Sequence, residues 1–265
     1  MTDVQILVLA LVQGLTEFLP VSSSAHLILI PKLLGWTDQG LAFDIALHLG
    51  TLVAVLLYFR QDLLRIVRAA LTVRLGQAMN PEAKIGWSMV LATIPVGLAG
   101  LSLKPFIETT LRAPWVIAYA TIGFGLLLGA ADFWGAKRRT ATDFRWRDAL
   151  WIGLWQALAL IPGASRSGVT LSAGLLLGLT PQTAARFSFL LSIPVIALAA
   201  ALSLIQWFKV GGLLQGPDLL LGAGIAALSG YACIHYFLKL IARVGLWPFV
   251  LYRLCLGLAL LYGVV

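Results

Sequence analysis

Glu17, His26 and Arg166 are charged or ionisable groups set in strongly apolar surroundings, and each stands beside a serine cluster. The first stretch runs from Gln13 through Glu17 and Pro20 to Ser22, Ser23, Ser24 and His26. The second runs from Gln156 through Pro162 and Gly163 to Ser165, Arg166, Ser167 and Thr170. Charge in hydrocarbon is costly, so such groups mark a functional site before anything else. Gln13 and Glu17 are four apart and share a helix face. His26 lies within one turn of both Ser22 and Ser23, where it can act as general base to a serine or simply hydrogen-bond the turn. Glu17 could equally cap backbone donors at its turn. The serines are good helix N-caps, a role that accounts for at least one of Ser22 and Ser24.

Ser165, Arg166 and Ser167 open a glycine-flanked half-helix, whose free N–H groups and positive dipole end attract anions. Arg166 adds a bidentate clamp, and Ser165, Ser167 and Thr170 add hydroxyl donors. The other reading of Arg166 is neutralisation of Glu17, which is compatible with anion binding. The whole constellation suits a phosphorylated head group, held in part by Ser22 and Ser24. A carboxylate beside a phosphate site repels the ligand unless a divalent cation bridges them, so Mg²⁺ or Ca²⁺ on Glu17 is expected. Asp44 and His48, also four apart, read as interfacial structural groups, with the mouth of the site as the other reading.

The elements that must position these groups are membrane spans. The chain has 265 residues, 60% apolar and only 11% charged, with mean hydropathy +0.94, whereas soluble domains carry about 25% charged residues. The net charge of +8 resides in loops between apolar runs. That is a membrane-topology pattern, and no nucleic-acid partner is expected. Cys233 and Cys255 lack metal or redox spacing. No cleavable leader is expected, because Asp3 stands where a basic segment would be.

A span needs about 20 apolar residues. Six segments serve: Leu41–Phe59, Ile85–Leu103, Trp115–Ala131, Phe187–Phe208, Leu219–Leu238 and Leu246–Val265. Four are too short: Val4–Thr16 and Ala25–Leu34 around Pro20, and Ala149–Ile161 and Gly168–Leu179 around Pro162. These read as two re-entrant hairpins, allowed at depth only where buried in protein or lining a wet cavity. Gly35 and Gly178, like Thr37 and Thr180, are 143 residues apart. The expected fold is therefore all-α: a single polytopic membrane bundle over 1–265, with repeats at about 1–135 and 146–265. Each repeat is one hairpin plus three spans, and the odd span number inverts the second.

The basic loops Arg60–Lys84, including Arg74, and Lys137–Arg147 should face the cytoplasm. Asp62–Leu75 should lie along the interface, with Leu63, Ile66, Val67 and Leu71 on one face. The first hairpin then opens outward, and the loop Lys104–Pro114, the loop Lys209–Pro217 and the C-terminus lie outside.

The string Gln13-Gly-Leu-Thr-Glu17-Phe-Leu-Pro20-Val-Ser-Ser-Ser-Ala-His26, with Pro162-Gly-Ala-Ser165-Arg166-Ser167-Gly-Val-Thr170, resembles the two signatures of the bacterial undecaprenyl-diphosphate phosphatases of the bacitracin-resistance type. The resemblance extends over the whole chain. It implies hydrolysis of undecaprenyl diphosphate to undecaprenyl phosphate, recycling the lipid carrier of peptidoglycan synthesis in the bacterial cytoplasmic membrane; the charge bias of the loops places the site open to the periplasmic face. It matches the family's acidic position to Glu17, its candidate nucleophile to Ser23, its histidine to His26 and its arginine to Arg166. Gln13 stands where some members carry a further glutamate, and Ala25 where glycine is common. The partners expected are a polyprenyl diphosphate and membrane lipids, and the chain is compatible with a homodimer. The same residues leave open direct attack by water instead of serine, and a flippase for polyprenyl phosphate.

Overall fold

Proline turns divide the apolar helices of this chain into long ones and short ones. The computed structural model describes residues 1–73, 79–111, 113–209, 211 and 216–263. Arg74 and Leu75, Val265 at the end of the last expected span, and most of the loop expected at 209–217 lie outside them. The first hairpin is α1 (Asp3–Phe18) and α2 (Ser23–Leu34), followed by α3 (Gly40–Tyr58), α4 (Arg60–Leu71), α5 (Pro81–Thr109) and α6 (Pro114–Trp134). The second is α7 (Trp146–Ala157) and α8 (Arg166–Leu176), followed by α9 (Pro181–Lys209), α10 (Pro217–Val244) and α11 (Trp247–Gly263). No strand forms among the described residues; one isolated bridge joins Arg139 to Leu179.

Five helices are long and apolar enough to cross a membrane: α3, α5, α6, α9 and α10. The sixth expected span is α11, whose 17 residues sit at the lower limit for crossing. The chain is a multi-pass, all-helical membrane protein. Its outer surface fits that setting: Val4, Leu7, Leu11 and Leu15 are exposed along one face of α1. The helix expected at the interface is α4, which buries Ile66 while Val67 and Leu71 remain exposed.

Packing exchanges elements between the two halves. α1 lies on α10, and α7 lies on α5. Both contacts are close because a glycine stands at each. A Cβ on Gly14 would sit 2.7 Å from the Ala226 carbonyl oxygen, and one on Gly153 the same distance from that of Ala92. Small residues let membrane helices approach in this way. Beneath the first hairpin, Phe18, Phe189, Phe237 and Phe249 make consecutive ring contacts at 5.4, 5.6 and 5.3 Å. These anchor the turn of α1 to α9, α10 and α11. At the other end, Arg139 closes the loop between the halves, reaching Asp148 at 2.5 Å and the Leu177 carbonyl at 2.9 Å.

Candidate active site

The two hairpin turns are built alike. α1 ends at Phe18 and α2 starts at Ser23; the second reversal runs from Ile161 to Ser165. Ser22 and Ser165, each just before the returning helix, have positive φ of 72° and 70°. That conformation is uncommon outside glycine. Ser165 Oγ caps α8 by accepting from the Gly168 amide at 3.2 Å. Ser22 stands at the N-cap of α2 without a side-chain cap bond, its hydroxyl pairing with that of Ser24 at 3.3 Å. Ser23 and Arg166 are consequently the first residues of α2 and α8, and the positive ends of both helices converge on one place.

Glu17 occupies that place. Its Oε2 accepts from Ser23 Oγ at 2.7 Å and from Gln13 Nε2 at 3.1 Å. Its Oε1 accepts from Arg166 Nη2 at 2.9 Å. Arg166 Nη1 donates to the Ser188 carbonyl at 3.1 Å, which fixes the guanidinium against α9. Glu17, Ser23 and Gln13 come from the first half of the chain and Arg166 from the second, so the Glu17–Arg166 pair joins the two halves.

The remaining expected residues take other places. The Ser23–His26 pair does not form. His26 Nδ1 lies 2.7 Å from the Ser22 carbonyl and Nε2 lies 2.6 Å from Tyr252 Oη, with the two rings stacked. Nδ1 is thus held at the start of its own helix and Nε2 ties α2 to α11, so both nitrogens are engaged away from the Ser23 hydroxyl. Ser165, Ser167 and Thr170, expected as free hydroxyls for an anion, are turned into the protein. Ser167 donates to the Leu19 carbonyl across the two hairpins at 2.8 Å, and Thr170 braces Arg166 through its carbonyl and the Ser188 hydroxyl. Ser24 is exposed, while Ser23 and Arg166 are half-buried.

Two residues matter more than their sequence reading. His48, read above as interfacial, has Nε2 3.9 Å from Glu17 Oε2, with Nδ1 on the Asp44 carbonyl at 2.7 Å. It and Ser24 border a cavity of about 360 Å³ between α2, α3 and α9. Arg253 was not singled out at all. It lies fully buried in α11. Its guanidinium donates to the Pro20 carbonyl of one turn at 3.1 Å and the Gly163 carbonyl of the other at 2.8 Å, and also to Thr121 at 3.1 Å. The signal was present: an arginine in the middle of the apolar run Leu246–Val265 is as conspicuous as Arg166.

Residues 6–259 match the family described as bacitracin resistance protein BacA. The chain is 54% identical over 262 residues to an undecaprenyl-diphosphatase of Nitrosococcus oceani, which covers 99% of both chains. It is 54% identical over 265 residues to an undecaprenyl-diphosphatase of Thioalkalivibrio sulfidiphilus, and 55% identical over 263 residues to undecaprenyl-diphosphatase 2 of Stutzerimonas stutzeri, each covering 97% of both chains.

Arg253→Lys should destabilise the detergent-solubilised protein. A lysine cannot reach both turns, and each buried carbonyl left without a donor costs about 1–3 kcal/mol. The thermal midpoint should fall by roughly 5–10 °C, at about 2–4 °C per kcal/mol for a chain of this size. An unchanged midpoint would show that the arginine does not tie the turns.

Proposed function

The chain belongs to the bacitracin resistance protein BacA family, and on that footing we propose that it hydrolyses undecaprenyl diphosphate to undecaprenyl phosphate and inorganic phosphate. The observation that carries the mechanism is one carboxylate holding both a serine hydroxyl, at 2.7 Å, and a guanidinium, at 2.9 Å. Phosphoryl transfer needs little beyond positioning and charge stabilisation, and these groups supply both. A guanidinium has five N–H donors. Two are used in the contacts to Glu17 and Ser188, and the others can take phosphate oxygens. The N-termini of α2 and α8 add their partial positive charges.

In the proposed reaction the Ser23 hydroxyl gives its proton to Glu17 as Oγ bonds to the terminal phosphorus. The bond from that phosphorus to the bridging oxygen breaks, and undecaprenyl phosphate leaves with the electron pair. Glu17 passes the serine proton to the departing undecaprenyl phosphate. Water then attacks the phosphoserine, and Glu17 takes a proton from it and returns one to Ser23 Oγ as the Oγ–phosphorus bond breaks and inorganic phosphate departs. In direct attack by water, Glu17 plays the same part without the covalent intermediate. His26, with both ring nitrogens engaged, is a positioning residue for α2 in either route. Ser22 and Ser24 border the phosphate, and Ser165, Ser167 and Thr170 hold Arg166 and the second turn in place.

The expected divalent cation fits as an ion shared with the substrate. Among the described residues no three His, Cys, Asp or Glu side chains converge on one point. The oxygens at hand are those of Glu17 and the buried Gln13 Oε1, which has no hydrogen-bond partner. Together with diphosphate oxygens this set suits Mg²⁺ or Ca²⁺, which would screen the charge between carboxylate and phosphate.

The proposed location is the bacterial cytoplasmic membrane, with the site open to the periplasm. α4, which carries Arg60, Arg65 and Arg68, is joined to the start of α9 where Asp62 pairs with Arg186 at 2.8 Å. The cavity beside the site is lined by the opposite half of α9, from Ile196 to Ser203. Basic loops face the cytoplasm, so the cavity would open outward. This reading takes the two halves as an inverted repeat meeting at the hairpin turns.

Phosphate release by the purified protein from a polyprenyl diphosphate tests the activity. Ser23→Ala should lose more than about a hundredfold in rate and Arg166→Lys a similar amount, while Ser24→Ala stays within a few-fold. Equal mild losses at Ser23 and Ser24 would reject the covalent route, and absence of release by the unaltered protein would favour the flippase. Excess chelator should abolish release; full activity in chelator would remove the cation.

Sidedness is tested by single cysteines after Cys233 and Cys255 are changed to alanine. Thr37→Cys, beside the first hairpin, should react in intact cells with a membrane-impermeant thiol reagent. Thr142→Cys, in the basic loop, should react only after lysis. The reverse pattern would overturn the outward-facing site.

A further inference from the structure

The proposed substrate is an amphiphile, so its head-group site must adjoin an apolar path for the tail. The cavity of about 360 Å³ beside the site has a polar wall that includes Ser24, Asp44 and His48. Its opposite wall is Ile196, Ala199 and Ala200 of α9. A second cavity of about 420 Å³ lies between α9 and α5, bounded by Leu202 and Ile205 on one helix and Gly100 and Leu101 on the other. Ala199 and Ser203 border both cavities. At these two positions α9 presents small side chains, so the boundary between the cavities is a low saddle. A larger apolar cleft of about 630 Å³ between α3 and α10 meets the first cavity only at Ile45. Ile45 is 4% exposed, and its bulk stands as a wall between them.

Resting on the proposed hydrolysis, we infer that the prenyl tail of the substrate leaves the site over Ala199 and Ser203 and lies in the groove between α5 and α9. The polar end of the first cavity takes the diphosphate. The second cavity is apolar apart from Ser203 at the saddle and Gln206 and Lys209 toward the end of α9. The path from Ile196 to Lys209 runs about 20 Å along the helix, at 1.5 Å per residue. Chain-length preference then resides on α9 and α5, away from the reacting groups. A long tail gains binding along the groove, which lowers KM; a tail too short to cross the saddle gains nothing there.

Two measurements test the path. In the first, a farnesyl-length diphosphate carrying a benzophenone at its tail end is photolysed with the purified protein. Attachment is expected on α5 near Leu101 or on α9 at 202–209. Attachment on α3 or α10, around Val53 or Ala223, would overturn the path. This readout needs binding, not turnover. Labelling on α5 and α9 by a protein that releases no phosphate would keep the path and reject hydrolysis. Phosphate release with labelling at α3 and α10 would do the opposite.

In the second, kinetics are compared for Ala199→Trp and Gly224→Leu. A Cβ at Gly224 meets open space in the α3–α10 cleft. Ala199→Trp should raise KM for undecaprenyl diphosphate at least tenfold, and by a several-fold larger factor than KM for geranyl diphosphate. Gly224→Leu should change neither. Equal effects of Ala199→Trp on both substrates, or no effect on the long one, would contradict the groove.

Discussion

A positive charge buried without a carboxylate organises the centre of this protein. Arg253 is fully buried, and its four described contacts are backbone carbonyls. Carbonyls free to accept a side-chain donor are rare inside helical bundles, because helices use their own. The chain reversals supply them, and Arg253 takes one from each hairpin turn, its other contacts being the Ala120 and Thr121 carbonyls of α6. The two turns come from halves of the chain more than a hundred residues apart, yet a single planar guanidinium bridges them. Everything chemical follows from that meeting: Ser23 and Arg166 open their helices at the same point, and Glu17 lies between them.

The Glu17–Arg166 pair is the functional counterpart of this anchor. A buried ion pair is a poor source of net stability, because desolvation offsets the attraction, but removing one partner is strongly destabilising. Such a pair is well suited to a site that receives a diphosphate. The incoming phosphate can take the guanidinium's remaining donors and weaken its hold on the carboxylate, which can then accept a proton. The Ser23 hydroxyl already points its proton at that carboxylate. The Ser188 carbonyl holds the Arg166 guanidinium against α9, while Thr170 bonds the Arg166 carbonyl and Ser167 ties the second turn to Leu19.

Much of this was legible in the sequence where the physics is local. Short apolar runs cut by Pro20 and Pro162 became two hairpins, because a run too short to span must turn. The recurring serines marked matching turns, and the cost of charge in hydrocarbon singled out Glu17 and Arg166. What could not be read was the direction of side chains. His26 is within a turn of Ser23, but its ring is drawn to the Ser22 carbonyl and to Tyr252, far away in sequence. Ser167 and Thr170 satisfy carbonyls that only tertiary packing brings near. His48 approaches Glu17 because α3 packs beside the first hairpin. Arg253 was legible by the same rule as Arg166, and was passed over because it has no serine motif around it.

The most direct test of the account is a thermal-stability cycle on Glu17 and Arg166 in detergent, independent of turnover. Glu17→Gln alone and Arg166→Gln alone each leave a buried charge without its partner, and each should cost about 3–5 kcal/mol. The double variant removes both charges and should be more stable than either single one, as expected for groups in contact. If the two losses simply add, the carboxylate and the guanidinium do not meet, and the two halves do not share one site.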